Sequence, residues 1–456
     1  MLSATDNEIL TQTNMGTPMG NLFREFWIPV LLSEEINQPD GPQVPLKIMG
    51  EDLLAFRNTE GKVGLIEPRC SHRGANLFFG RNEEGGIRCA YHGWKFDIEG
   101  QCKEMPTIPT EAVSRMCKKA NIKSYPVREW GGMVWAFMSS RRPLPELPHL
   151  EFALLPSSHL HVSKKFQECN WAQAAEGGLD TAHFSFLHQP VGLNIEDMKA
   201  KAAVAVKGYS KGTMNHEHVR WMRQDSRPRY EFKKHAAGIV LGTSRQANEG
   251  ERYWRIAQYL LPSHGYTPSA TPGQTYHGQT WIPIDDDNCW VFVYSWNPER
   301  SLTEEERTTF NEGGAVYPQK DANYVPLRNR SNNYLIDREM QKTDNFTGIV
   351  GVSEQDAAIQ DSQGRIADRT RELLGPTDLG VVQFRRLMLG SAIDLKKGVT
   401  PPAVDAPESY YVRAGGIVAP EQASFAQVME KRFGDEIGFV RKKIDPVSSP
   451  VRCGHK

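Results

Sequence analysis

Four residues in the first hundred have the types and spacing of a metal centre: Cys70 and His72 in Cys70-Ser71-His72, and Cys89 and His92 in Cys89-Ala90-Tyr91-His92. Sixteen residues separate the two pairs. Each pair is mixed, one thiolate donor with one imidazole. A [2Fe–2S] cluster needs two ligands per iron, and two thiolates on one iron with two neutral imidazoles on the other meet that need. Exchanging two thiolates for imidazoles removes negative charge. It raises the reduction potential to roughly −150 to +300 mV, against about −400 mV for an all-cysteine plant-type cluster. The competing reading is a structural Cys2His2 zinc site. Zinc fingers usually keep their cysteines together and their histidines together, whereas here the pairs are mixed. The flanks, Pro68-Arg69 before the first pair and Gly93-Trp94 after the second, also favour the cluster.

A second concentration of polar groups runs from Asn170 to His188. Asp180 and His183, three apart, share a face if the segment is helical. Glu176 and Asp180, four apart, crowd two carboxylates, and polar groups rarely crowd an otherwise apolar helix without something to bind. His183 and His188 are five apart, about 140° on a regular helix at roughly 100° per residue. Their rings converge only if the helix breaks between them, and Gly177-Gly178 shows that regular helix is not the priority. Alone, His-x4-His more often marks a core histidine with a satisfied hydrogen bond. Beside an electron-carrying cluster, two histidines plus one carboxylate describe the facial triad of non-haem Fe(II) oxygenases, which leaves coordination positions open.

The chain has 456 residues, enough for two domains with sizeable cores. With 54 basic and 55 acidic residues it carries a net charge of −1, which gives no bulk attraction to nucleic acid or an anionic membrane. No run of eighteen apolar residues predicts a membrane span. The polar N-terminus lacks the basic and apolar regions of a signal peptide. Five of the seven cysteines (Cys102, Cys117, Cys169, Cys289 and Cys453) lie outside the paired motif and are scattered, as suits a reducing cytoplasm. Residues 1–41 read as a lead-in packed on the second domain. Residues 42–148 are β-rich, with both pairs outside the apolar runs, and end in a proline-rich linker at 141–148. Residues 149–456 mix strand-like runs (239–243, 253–261, 290–294) with helical patterns (303–311, 355–360, 423–433). The expectation is an α+β catalytic domain with a central antiparallel sheet, in which 313–350 is an irregular loop.

The cluster pattern resembles the Rieske iron–sulfur domain. With Asp180-x2-His183-x4-His188 downstream, roughly residues 20–390 resemble the oxygenase component of Rieske non-haem iron aromatic-ring hydroxylating oxygenases, and the segment 353–370 with Leu373-Leu374-Gly375 and Arg385-Arg386 is similar to the phthalate dioxygenase group. The resemblance implies that Cys70, His72, Cys89 and His92 hold a [2Fe–2S] cluster and that His183, His188 and a distant aspartate hold Fe(II). Asp356 fits that family's D-x3-Q-x3-G motif with Gln360 and Gly364. Asp361 is the competitor, and Asp356 could instead help start a helix from Ser353. The resemblance further implies head-to-tail trimers, alone or as a stacked pair, with Asp180 bridging the two metal sites of neighbouring subunits, and Asn170 close to the iron. It implies O2 activation with electrons from a separate NAD(P)H-dependent flavin/iron–sulfur reductase, and cis-dihydroxylation of a phthalate, isophthalate or substituted benzoate. Arg245, in phase with Ile239, Leu241 and Thr243, and Lys207 are the candidate anchors for the substrate carboxylate; a solvated strand end is the bland alternative for each. A monooxygenase or demethylase on a related aromatic, and a Rieske electron carrier without oxygenase activity, remain the other readings.

Overall fold

The computed structural model describes residues 1–191, 216–268, 270–271 and 273–434. Short strands separated by glycine turns dominate the first third, because few apolar runs there exceed five residues. They form three antiparallel sheets: Val44–Ile48, Glu51–Arg57 and Val63–Ile66; then Arg81–Glu83, Gly86–Arg88, Lys95–Phe96 and Cys102–Glu104; and a third in which Met133–Phe137 lies between Trp27–Leu32 and Val127–Trp130. The boundary expected at residue 42 thus falls after a strand already paired with Met133–Phe137. A small core of Leu54, Phe56, Ile66, Leu77, Ile87 and Phe96 encloses Cys70 and Cys89, separate from the main core. The stretch 141–148 has no regular structure but is tied down. Trp27 Nε1 donates to the Pro145 carbonyl at 2.9 Å, and Arg141 pairs with Asp405 at 2.6 Å.

The second part is built on an eight-stranded antiparallel sheet. Its order is Leu160–Gln167, Cys289–Trp296, Tyr276–Pro283, His264–Tyr266, Glu251–Leu260, Gly238–Gln246 and Arg229–His235, with Gly415–Pro420 also paired to Glu251–Leu260. The three strand-like runs of the sequence fall on this sheet, where continuous apolar runs are buried on both faces. Helices Trp171–Leu179 and Leu379–Lys396 pack against it. The expected helices at 303–311 and 423–433 form as Glu304–Asn311 and Phe425–Phe433, each opened by a capping box (Thr303 with Glu306, Ser424 with Gln427). The stretch 313–350, expected as irregular loop, contains a helix, Arg338–Thr343, and a kinked 3-10 segment, Arg330–Leu335. Among the described residues no helix is long and apolar enough to cross a membrane.

The lead-in helices Ala4–Thr11 and Pro18–Arg24 pack against Leu379–Lys396. A buried ion network fastens them to the helix Trp171–Leu179. Glu176 Oε1 accepts from Arg369 Nε at 3.0 Å and Arg385 Nε at 2.7 Å, while Arg369 Nη1 donates to Asn7 Oδ1 at 3.1 Å. Burial pushes the Glu176 carboxyl up, but Arg369 and Arg385 outweigh it and hold the group below the usual carboxylate range. The crowding of Glu176 beside Asp180 therefore serves an arginine pair, not a metal. Breaking a buried ion pair on one side leaves uncompensated charge, so Glu176→Gln is expected to destabilise the fold by about 3–5 kcal/mol. A melting temperature equal to wild type would show that the network is solvated.

Candidate metal centres

Two matched loops carry the cysteine–histidine pairs. In the first, Cys70 N–H donates to the Ala75 carbonyl at 2.9 Å and Gly74 N–H to the Cys70 carbonyl at 2.8 Å. In the second, Cys89 N–H donates to the Trp94 carbonyl at 2.8 Å and Gly93 N–H to the Cys89 carbonyl at 2.9 Å. Gly74 and Gly93 close these turns at φ +72° and +74°, a left-handed conformation that glycine adopts without strain. At Gly93 a Cβ would also sit 2.7 Å from Pro106 Cγ. Both cysteines are buried and both histidines partly exposed, with imidazole centres 4.5 Å apart. Trp94 stacks on His72 at 4.5 Å and fixes that ring. Burial and the neighbouring Cys89 push the Cys70 thiol up to about 11, against the backbone N–H groups that favour its thiolate. Two thiols so placed ionise together only around a cation, which suits ferric iron.

The second centre forms where the helix Trp171–Leu179 ends. Asp180 caps it in an extended conformation, and His183 opens a short 3-10 turn, His183–Ser185. Asp180 and His183 do meet, but across this break and not along a helix face: Asp180 Oδ2 is 3.3 Å from His183 Nδ1, and Asp180 Oδ1 accepts the Ala182 N–H at 2.7 Å. Gly177 and Gly178 lie inside the helix, Gly178 against the Trp281 ring and Gly177 against the movable end of the Gln360 side chain. A Cβ would come within 2.1 Å of Gln360 Nε2 at Gly177 and 2.6 Å of Trp281 at Gly178.

Asp356 reaches the same place from the helix Val352–Ser362. Its Oδ1 is 3.8 Å from His183 Nε2 and 3.2 Å from His188 Nε2. One ligand atom from each of the three residues lies within 4.8 Å of the others. The protonation pattern also suits a metal. His183 Nδ1 faces Asp180, and His188 Nδ1 donates to Gln355 Oε1 at 2.7 Å, whose own Nε2 donates to the Ile349 carbonyl at 2.8 Å. Both Nε2 lone pairs are thereby turned toward Asp356, and His188 Nε2 is buried with no hydrogen-bond partner. Burial raises the Asp356 carboxyl, but His188 and His183 outweigh it and hold the group ionised. Asp361 points elsewhere, to the Tyr334 hydroxyl, and is buried. Two imidazoles and one carboxylate on one side of a space fit a facial-triad iron.

Residues 26–126 match the Rieske [2Fe-2S] domain model, and residues 136–428 match the model described as LigXa C-terminal domain like. The chain belongs to the Rieske non-haem iron oxygenases. It is 36% identical to the 3-chlorobenzoate-3,4-dioxygenase oxygenase subunit of Comamonas testosteroni, over 95% of this chain and 99% of that one. It is 36% identical to the phthalate 4,5-dioxygenase oxygenase subunit of Pseudomonas putida, over 87% and 88%. The fold is that of dicamba monooxygenase bound to dicamba, with a TM-score of 0.54, 16% identity, and coverage of 83% of this chain and 99% of that one. The oxygenase's cofactors are accordingly a Rieske [2Fe–2S] cluster, which excludes the zinc reading, and a mononuclear non-haem iron.

Two expected site residues are placed otherwise in this oxygenase. Asn170 is not near His183. It caps the opposite end of the nine-residue helix Trp171–Leu179, where its Oδ1 accepts the Ala172 N–H at 3.0 Å and its Nδ2 donates to the carbonyls of Thr11 and Asp286 at 2.9 and 2.7 Å. Its amide is fully used, which corrects the expected proximity to iron. Arg245 is wholly buried, with Nη2 on the Thr181 carbonyl at 2.6 Å and Nε on the Asp225 carbonyl at 3.1 Å. Lys207 lies outside the described residues. Gln355 went unnoticed, although its position beside Asp356 was a signal: adjacent helix residues point about 100° apart and can meet both sides of one ligand set.

Proposed function

We propose that this chain is the oxygenase component of a multicomponent dioxygenase that cis-dihydroxylates an aromatic carboxylate of the phthalate, isophthalate or benzoate class. The observation that supports this reading is 36% identity, over most of the chain, to two oxygenase subunits named for aromatic carboxylates. Electrons come from a separate NAD(P)H-dependent flavin/iron–sulfur reductase, and the chain works in the cytoplasm as a homotrimer or a stacked pair of trimers. Cys70, His72, Cys89 and His92 hold the cluster, and His183, His188 and Asp356 hold the iron. When bound, these groups supply single-electron transfer and O2 activation. The protein's own part is orientation and exclusion of water. Asp180 fixes the His183 ring and, with its side chain 30% exposed in the single subunit, is available to a cluster histidine of a neighbour. A screen of substituted benzoates and phthalates with a surrogate reductase under labelled O2 tests the reading. A cis-diol carrying both oxygens of one O2 is expected; a product carrying one oxygen would make the enzyme a monooxygenase or demethylase.

Gln355 holds His188 in the tautomer that binds metal through Nε2. Outer partners of this kind typically govern metal affinity by 10–100-fold. Gln355→Leu is therefore expected to weaken Fe(II) binding about tenfold or more in chelator competition, with the cluster's visible spectrum unchanged. Full iron retention under the same chelator would remove Gln355 from the site.

A further inference from the structure

The face of the large sheet behind the iron ligands carries two buried arginines. Strands Gly238–Gln246 and Glu251–Leu260 pair so that Thr243 lies opposite Arg255 and Arg245 opposite Tyr253. Residues directly opposite, and residues two apart, project from the same face. Thr243, Arg245, Tyr253 and Arg255 therefore share it. That face meets the iron segment directly: the Thr181 and Thr243 hydroxyls are 3.1 Å apart, and Arg245 holds the Thr181 carbonyl. The helix His216–Gln224 packs on both the strand Gly238–Gln246 and the turn His183–Ser185.

Arg255 is only 3% exposed, and its Cζ lies 4.1 Å from the centre of the Phe184 ring. That ring is 4.6 Å from the His183 imidazole and 4.9 Å from the His188 imidazole. A cation, one benzene ring and the two iron-binding imidazoles thus follow in series. Arg255 Nη1 is 3.3 Å from the Met222 sulfur and the Tyr253 side chain lies beside the guanidinium, while Nε and Nη2 make no well-formed hydrogen bond among the described residues. Nε and Nη2 form one edge of the guanidinium, the edge that takes both oxygens of a carboxylate. Arg245 Nη1 and Trp221 Nε1 are likewise buried donors without an acceptor among the described residues. Burial, and after it Arg255, push Arg245 down to about 10, a sign of two like charges held close. Buried charges are normally paired. On this face the unpaired atoms among the described residues are three guanidinium nitrogens, two on Arg255 and one on Arg245, and the Tyr230 hydroxyl, so cationic donors are in excess and an anion would balance them.

We infer that Arg255 receives the carboxylate of the aromatic substrate along its Nε–Nη2 edge, with the substrate ring lying along Phe184 toward the iron ligands. The inference rests on the aromatic-carboxylate reading above and gives it a specificity residue. Arg245 then serves as a clamp on Thr181, its two bonds to backbone carbonyls already made. A carboxylate held one ring's length from the His183 and His188 imidazoles would turn the far edge of the substrate toward them. Hydroxylation is directed to ring carbons remote from the carboxylate, not to the carbon that bears it.

The test measures binding of benzoate, phthalate and neutral benzamide to the iron-loaded oxygenase by calorimetry, with melting curves for the same samples. Wild type is expected to prefer the two anions, and R255Q to bind them about tenfold to a hundredfold more weakly, as loss of charge-assisted bonds gives, with benzamide unaffected. Unliganded R255Q should melt no lower than wild type, because an unpaired buried charge has been removed, and should lose the rise in melting temperature that benzoate gives wild type. R255K, which keeps the charge but not the two-pronged edge, should fall between the two. Anion affinity retained in R255Q would overturn the assignment and leave the aromatic-carboxylate reading standing. Should R255Q fail to fold, R255K binding benzoate as wild type does would overturn it equally. Wild type binding benzamide as tightly as benzoate would overturn both.

Discussion

Asp356→Ala is expected to reduce the iron content from three atoms per chain, two in the cluster and one mononuclear, to two, and to abolish substrate-dependent O2 uptake. The reason is geometric. Asp356 Oδ1 is the anionic atom closest to both imidazole Nε2 atoms, at 3.8 and 3.2 Å. Without it, two neutral imidazoles alone face a divalent cation in a buried site, where an uncompensated charge is costly. Asp361→Ala is the matched control. Its carboxylate is held by the Tyr334 hydroxyl on the far side of the same helix, so its loss should cost stability and leave three irons in place. The measurement is an iron assay on purified protein with the cluster quantified separately by its reduced-state EPR signal. Two irons in Asp361→Ala and three in Asp356→Ala would exchange the roles of the two aspartates.

The two cysteine–histidine loops are legible in the sequence because they are local: a Cys and a His two or three residues apart, closed by a glycine, define a loop whatever the rest of the fold does. The iron site was legible only in part. His183 and His188 stand close in the chain, but helical spacing does not account for the contact between Asp180 and His183: the helix stops at Leu179 and the contact is made across the break. Three-residue separations bring side chains together in tight turns as well as in helices, so the pair meets in either conformation. The place of Asn170 is hidden for a related reason: capping residues and ligand-supporting residues are the same small polar types, and only tertiary position separates a helix's N-cap from its other end. Arg245 and Arg255 occupy neighbouring strands in the same phase, so alternation could not rank them. What distinguishes them is which nitrogens the backbone already uses, a property of long-range pairing. The sequence did hold one signal for Arg255, a charged residue set between Trp254 and Ile256 in a strand with no nearby glycine or proline.

Asp180→Asn should leave both metal sites occupied while electron transfer from cluster to iron falls by about 100-fold, the top of the range for loss of a partner that orients a metal-binding histidine. Asp180 sits at the helix end with one oxygen held by the Ala182 N–H and the other 3.3 Å from His183 Nδ1. Burial raises its carboxyl, but His183 and the backbone N–H groups outweigh it and keep the group ionised. An ionised carboxylate accepts only, so it can take the His183 Nδ1 proton and a second imidazole N–H together. Asparagine preserves the size but offers one acceptor and two donors, and one imidazole would then meet a donor. The three proposed ligands, His183, His188 and Asp356, are untouched by this substitution, which is why occupancy should survive. The readout is single-turnover oxidation of the reduced cluster, followed optically in substrate-loaded protein whose iron has been assayed. Rapid cluster oxidation with three irons per chain would remove Asp180 from the path. Loss of the mononuclear iron alone would assign Asp180 to holding His183 in place, and the bridge would have to be another group.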